Sequence, residues 1–222
     1  MNPEAMIKEL KKHYSKKNIE GMRRYAIPGD IGVSIHVLRG IAKRIGKDHE
    51  LALGLWETGI HEARLLSCLI ADPKKTDEDL MEKLAKDFDS WDLCDICCAN
   101  LFDKTGLARK KALEWAEREE EFVKRAGFVM IVALSVHDKN ADDSVFTGFL
   151  PVIKKHSTDE RNFVRKAVNW ALRGIGKRNI NLNKAALKTA MEILKTDSKT
   201  ARWIASNAIK ELESEKVKKR LR

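Results

Sequence analysis

The sequence predicts an all-α protein whose helices stack in pairs, and three observations predict it. Apolar residues recur at helical spacing in segment after segment, and no stretch shows period-two alternation between Gly or Asn turns. Similar helices also return at regular intervals. EFVKRAGFVMIVAL from Glu121 lines up with NFVRKAVNWALRGI from Asn162, 41 residues later, and KTARWIASNAIKEL from Lys199 follows 37 residues after that. HEARLLSCLIAD from His61 is placed in the same frame. Periods near 40 with two helices each belong to HEAT-like repeats, which bury their faces only by stacking and so curl into an α-solenoid with a concave surface. The expectation is a single domain over 1–222, with Arg64, Arg125, Lys166, Arg173 and Arg202 lining a basic concave groove.

In order, amphipathic helices are expected over about 3–14 and 16–26, ending in the Pro28-Gly29 loop. Ser34 reads as the N-cap of SIHVLRGIAKRIG, with Gly46 in the C-terminal position. Asp48 caps a short helix to Glu57, and Gly59 separates it from IHEARLLSCLIAD. Thr76 or Asp77 opens a helix to Phe88, Ser90 caps WDLCDICCANLF, and GLARKKALEWAERE follows. The segment from Glu119 to His137 is apolar on nearly every side beyond Arg125, which predicts a central packed helix. DDSVFTGFLPVIKKH is expected to kink or start late at Pro151. Helices over Asp159–Arg178, LNKAALKTAMEILK and SKTARWIASNAIKEL come next, and EKVKKRLR reads as a basic tail.

Composition narrows the function classes. With 43 Lys plus Arg against 33 Asp plus Glu, the net charge is +10, which favours polyanionic partners. The N-terminus is charged and lacks the apolar core of a signal peptide. The longest apolar run, AGFVMIVALSV, is about half of the ~20 residues a membrane span needs. A cytoplasmic protein without a membrane partner, nucleoid-associated when bound to DNA and acting as a monomer, is expected. Cys68, Cys94, Cys97 and Cys98 have no second ligand pair at a zinc spacing and no preceding strand, so they read as small buried side chains.

Two helices carry the candidate chemistry. In DERNFVRKAVNWALRGIGKR, Phe163, Val164, Ala167, Val168, Ala171, Leu172 and Ile175 share one arc, while Lys166, Trp170, Arg173 and Lys177 share the other. A tryptophan among three cations suits a phosphate backbone. In SWDLCD the wheel puts Trp91, Asp95, Cys98 and Phe102 in one stripe. Asp92, in the first turn, is explained by the helix dipole. Asp95 lies a turn further in, where its charge is solvated, paired with a cation such as Arg125, or functional. Trp91 and Trp170 are each either core packing or contact surface.

These motifs, in this order, together with GVSIHVLRGIAKRIGK upstream and TARWIASNAIKEL downstream, resemble the DNA alkylation repair family of HEAT-like-repeat glycosylases, the AlkD type. The resemblance spans essentially the whole chain. It implies a C-shaped helical protein that holds duplex DNA in its groove and hydrolyses the N-glycosidic bond of N3- and N7-alkylated purines, without metal or organic cofactor. Matched by motif, Trp91 and Asp95 correspond to the catalytic tryptophan and aspartate, and Trp170 to the second aromatic. Arg125, or Lys124 in a register one residue earlier, corresponds to the groove arginine. Lys166, Arg173, Lys177 and Arg202 complete the expected DNA-binding set. A His36 stands where relatives often carry proline.

The implied chemistry explains so sparse a site. Alkylation at N3 or N7 makes the purine cationic, so it departs neutral and needs no general acid, and one carboxylate is enough. Two further readings stay open on the residues alone: a passive nucleic-acid binder, and a protein scaffold whose groove is apolar or acidic.

Overall fold

The computed structural model describes residues 2–221. Among them are fourteen α-helices, two short 3₁₀ turns and no strand, and the chain divides after Gly106 into two compact units.

The first unit holds α1 (Pro3–Lys11), α2 (Lys16–Arg23), α3 (Ile35–Ile45), α4 (His49–Glu57), α5 (His61–Ile70), α6 (Glu78–Lys86) and α7 (Trp91–Asn100). These helices are short, and local chemistry sets their starts. The side chains of Asn2, Ser15, Ser34, Asp48 and Asp77 each accept the backbone N–H three residues on, which satisfies one donor the first turn leaves open. Asp77, not Thr76, is therefore the cap of α6. α1 and α2 stop earlier than the periodicity predicts: after α1 the chain turns so that the Ser15 N–H reaches the Ile31 carbonyl at 3.0 Å, and after α2 residues 24–26 form a turn in which Tyr25 and Ala26 donate to the Met22 and Arg23 carbonyls. α5 packs against α3, α4 and α7 and is the middle of the unit. Leu65, Leu66, Cys68 and Ile70 are buried along it, and Ser67 Oγ donates to the Ala52 carbonyl at 2.7 Å.

The second unit holds α8 (Ala108–Ala116), α9 (Glu121–His137), α10 (Asp143–Lys155), α11 (Asn162–Gly176), α12 (Ile180–Leu194), α13 (Lys199–Leu212) and α14 (Glu215–Leu221). The aligned repeat segments begin where helices begin, α9, α11 and α13 at Glu121, Asn162 and Lys199, although α9 and α11 start two and three residues after the expected Glu119 and Asp159. Every residue of α9 from Val123 to Ser135 is buried, as its all-round apolar pattern requires. α11 turns Val164, Ala167, Val168, Ala171, Leu172 and Ile175 inward, with Phe163 only half-buried. The buried Asn169 amide ties it to α13 through the Ile204 carbonyl at 3.0 Å.

Three expectations are corrected. The interval near 40 does not extend into the first unit, where α5 and α7 start 30 residues apart, because the helices there are shorter. α10 starts at Asp143 and runs through Pro151; both Pro151 and Thr147, the residue four positions earlier whose carbonyl loses its backbone donor to the proline, are exposed. The basic tail is helical: Val217 buries its side chain and folds residues 215–221 back as α14.

All four cysteines are buried free thiols. Burial pushes the Cys97 and Cys98 thiols well above the ordinary range, and neighbouring sulfurs push the same way. No helix is long and apolar enough to cross a membrane.

α8 and α9 cross so closely at Gly127 that a Cβ there would lie 2.3 Å from the Ala116 backbone nitrogen. Gly127→Ala is expected to lose about 1–3 kcal/mol of unfolding free energy in chemical denaturation. Gly40→Ala, on the exposed side of α3 with nothing within 4 Å, is expected to gain up to about 1 kcal/mol from the lower chain entropy of alanine in a helix.

Candidate nucleic-acid interface

In the first unit the site is built on α7. Leu93, Cys94, Cys97 and Cys98 are fully buried, which leaves Trp91 and Asp95, one turn apart, half-buried on another strip of the helix. The Asp95 carboxylate is close enough to the Cys98 thiol to contribute to its raised pKa. Trp91 is held by its ring edge: Nε1 donates to the Tyr25 carbonyl at 2.8 Å.

That carbonyl lies at the start of the loop between α2 and α3, and the loop is pinned by a buried carboxylate. Glu62, fully buried at the start of α5, accepts the backbone N–H groups of Asp30 (3.3 Å), Ile31 (3.1 Å) and Gly32 (2.6 Å). Three donors aimed at one ion compensate its desolvation. Asp30 answers by accepting the His61 N–H at 2.7 Å. Gly32, at φ +79°, takes a conformation that other residues rarely adopt, and a Cβ there would meet the Ser15 carbonyl oxygen at 2.3 Å.

Asp92 is more than a partner for the helix dipole. Its Oδ2 lies 2.9 Å from Nε2 of His61, whose side chain is 2% exposed. Burial opposes protonation of His61, but the hydrogen bond to Asp92 and the negative charges of Asp92, Glu62 and Asp89 outweigh it, so its pKa is raised above 6.5. The ion pair fastens the first turn of α7 to the first turn of α5. Sequence reasoning missed both this pair and Glu62, since each joins residues about 30 apart with no local signature.

In the second unit the predicted cations have different surroundings. Lys166 is exposed and has no partner among the described residues. Arg173 and Lys177 are brought together on Glu211: Arg173 pairs with Oε2, and Lys177 Nζ lies 2.7 Å from Oε1. Burial opposes ionisation of Glu211, yet those two cations hold its pKa below the ordinary value. Arg202 is exposed and reaches Asp197 at 3.2 Å. Lys124 and Arg125 are each 5% exposed. Lys124 lies 3.8 Å from Asp159, and Arg125 donates to the Phe163 carbonyl at 2.7 Å, which ties α9 to the first turn of α11 and leaves little guanidinium surface for a phosphate. Trp170 is half-buried on α11, so its ring is neither wholly core nor wholly free.

A family model described as DNA alkylation repair enzyme matches residues 6–212. The chain belongs to this family. Among solved structures it is similar to one described as "A new family of proteins related to the HEAT-like repeat DNA glycosylases with affinity for branched DNA structures", at 22% sequence identity and a TM-score of 0.83, covering 100% of this chain and 96% of that one. At that identity the likeness establishes the shared HEAT-like repeat fold. No curated protein matches.

The raised pKa of His61 fixes the sign of a pH effect on the family member described here. A raised folded-state pKa stabilises the fold fully below the unfolded value near 6.5, and that stabilisation is lost as pH rises through the folded value. Unfolding free energy measured from about pH 5 to about pH 9 is expected to fall across this window in the wild type and to be flatter in His61→Gln. Asp92→Ala, which strands a buried imidazolium, is expected to cost roughly 3–5 kcal/mol at the acid end and less at the alkaline end.

Proposed function

We propose that the protein is a monofunctional DNA glycosylase that hydrolyses the N-glycosidic bond of cationic N3- and N7-alkylated purines in duplex DNA, opening base excision repair. The observation that carries this reading is the strip on α7, where a half-buried carboxylate stands one turn from a tryptophan whose orientation is set by a bond to the Tyr25 carbonyl. Membership of the alkylation repair family supports it.

The reaction asks little of the protein. The alkylated purine is already cationic, so the bond breaks toward a neutral base and leaves positive charge on the sugar. Asp95 stabilises that charge and holds the water that adds to the anomeric carbon, and the water's proton passes to solvent. Trp91 and Trp170 offer aromatic faces to cationic base and sugar. Lys166, Arg202, Arg173 and Lys177 act by long-range attraction and phosphate contact, the last two with part of their charge already offset by Glu211. Lys124 and Arg125 act from beneath the surface, by shaping the start of α11. No cofactor has a role in this scheme.

A second reading, a non-catalytic binder, draws support from the similar structure, which is described as having affinity for branched DNA. The two readings part at Asp95. Asp95→Asn is expected to leave the melting temperature and the affinity for duplex nearly unchanged while single-turnover excision of N7-methylguanine falls by on the order of 10²-fold, the usual scale for one preorganised electrostatic contact. An Asn variant that melts early yet excises normally ends the catalytic assignment, and wild-type protein that binds but never excises favours the binder.

Substrate choice follows from the lack of a leaving-group acid in the scheme. Release of N7-methylguanine or N3-methyladenine is expected from oligonucleotides that carry them. Release of uracil or hypoxanthine, whose departure needs protonation, is not expected, and efficient uracil release by pure protein would contradict the mechanism.

A further inference from the structure

Beside Trp170 the second unit contains an open cavity of about 400 Å³, walled by the C-terminal parts of α9 and α11, the start of α10 and α14. Its size suits one nucleotide unit better than a whole strand. Four cations line it, Lys139, Lys177, Arg178 and Arg220, against the single carboxylate of Asp143. Those cations differ in how far their charge is already spent. Lys177 is paired with Glu211. Arg178 is anchored without being neutralised: it donates to the carbonyls of Ser135 (3.1 Å), Asp138 (2.6 Å) and Ala141 (3.2 Å) and sits 4.2 Å from the centre of the Phe146 ring. Lys139 and Arg220 are exposed, and their side chains have no hydrogen-bond or ion-pair partner among the described residues. Asp143, for its part, accepts from the Asn179 amide at 2.7 Å.

A fixed guanidinium, two free cations and an aromatic side chain around a nucleotide-sized opening form a receptor for an anion carried on an organic body. α12 adds to the field, since its first turn begins at Asn179 on the cavity wall and its positive end lies there.

We propose that this cavity is a phosphodiester-binding site, in which Lys139, Arg178 and Arg220 hold one backbone phosphate of a DNA strand beside Trp170. The site gives the C-terminal helix α14 a function: folding residues 215–221 back as a helix brings Arg220 to a cavity wall that α9 and α11 alone would leave open. It also draws on cations other than the Glu211-paired Arg173 and Lys177. The proposal rests on the nucleic-acid reading above and is independent of base excision.

The test uses the full chain and an undamaged duplex oligonucleotide, with affinity measured across a range of salt for wild type and for Lys139→Gln/Arg220→Gln. The double variant is expected to melt like the wild type. Its plot of log affinity against log salt is expected to be shallower by about 0.9, the loss of one phosphate contact. With 5-fluorotryptophan incorporated and the Trp170 resonance assigned from Trp170→Phe, duplex is expected to shift that resonance in wild type and to shift it less in the double variant. A double variant with the wild-type slope and the wild-type Trp170 shift overturns the cavity assignment alone. A wild type that binds no duplex overturns the nucleic-acid reading, and the cavity assignment with it. Displacement of the Trp170 signal by polyglutamate but not by duplex assigns the cavity to an acidic protein instead and overturns the proposal.

Discussion

A helix of nine or ten residues is marginal by itself in water, and the first unit is made almost entirely of such helices. None of α1 to α7 exceeds eleven residues. Each is held by what it packs on, and α5 carries most of that demand because α3, α4 and α7 all lean on it. The second unit answers the same constraint differently, with one long helix, α9, that has no solvent face over thirteen consecutive residues and gives α8 and α11 a surface to close upon.

Within the first unit this dependence is sharpened by charge. Glu62 and His61, neighbours at the start of α5, reach in two directions, one to the backbone of the loop after α2 and the other to Asp92 on α7. Trp91 is then oriented from both sides, by the helix that carries it and by the loop carbonyl its indole meets. A buried carboxylate with three backbone donors and a buried imidazole with a carboxylate are costly to break on one side only. The strip bearing Trp91 and Asp95 is therefore mounted on a rigid support although its own helix is short, which is what an electrostatic site needs.

The sequence made the second unit legible because its signal is local and repeated. Apolar periodicity placed α9 and α11 to within three residues of their starts, Glu119 against Glu121 and Asp159 against Asn162, and the inward arc of α11 was read correctly except for half-buried Phe163. What it hid was pairing at a distance. Arg173 and Lys177 look free on a helical wheel, and only the packing of α13 on α11 sets Glu211 between them. Lys124 and Arg125 look like surface cations until α9 is seen to have no surface there. Asp92 had a sufficient local explanation, which concealed its tie to His61. EKVKKRLR looked like a tail because two apolar residues, Val217 and Leu221, are too few for a periodic signal, yet residues 215–221 form a helix that buries Val217. Of the predicted stripe, Trp91 and Asp95 are half-buried together as the pitch of one helix requires, but Cys98 is fully buried and Phe102 lies beyond the end of α7.

The four cysteines bear on the setting in which such a protein works. Small electrophiles that alkylate purine nitrogens also attack sulfur, and the species they attack is the thiolate. Here all four cysteine thiols are enclosed, and at Cys97 and Cys98 the surroundings hold the proton on. The helix that carries the proposed carboxylate is thus lined on its inner side by sulfur that is chemically quiet, filling space as a small apolar group would. Under the proposed function, an alkylating agent that produced the substrate would meet no exposed thiol among these four cysteines.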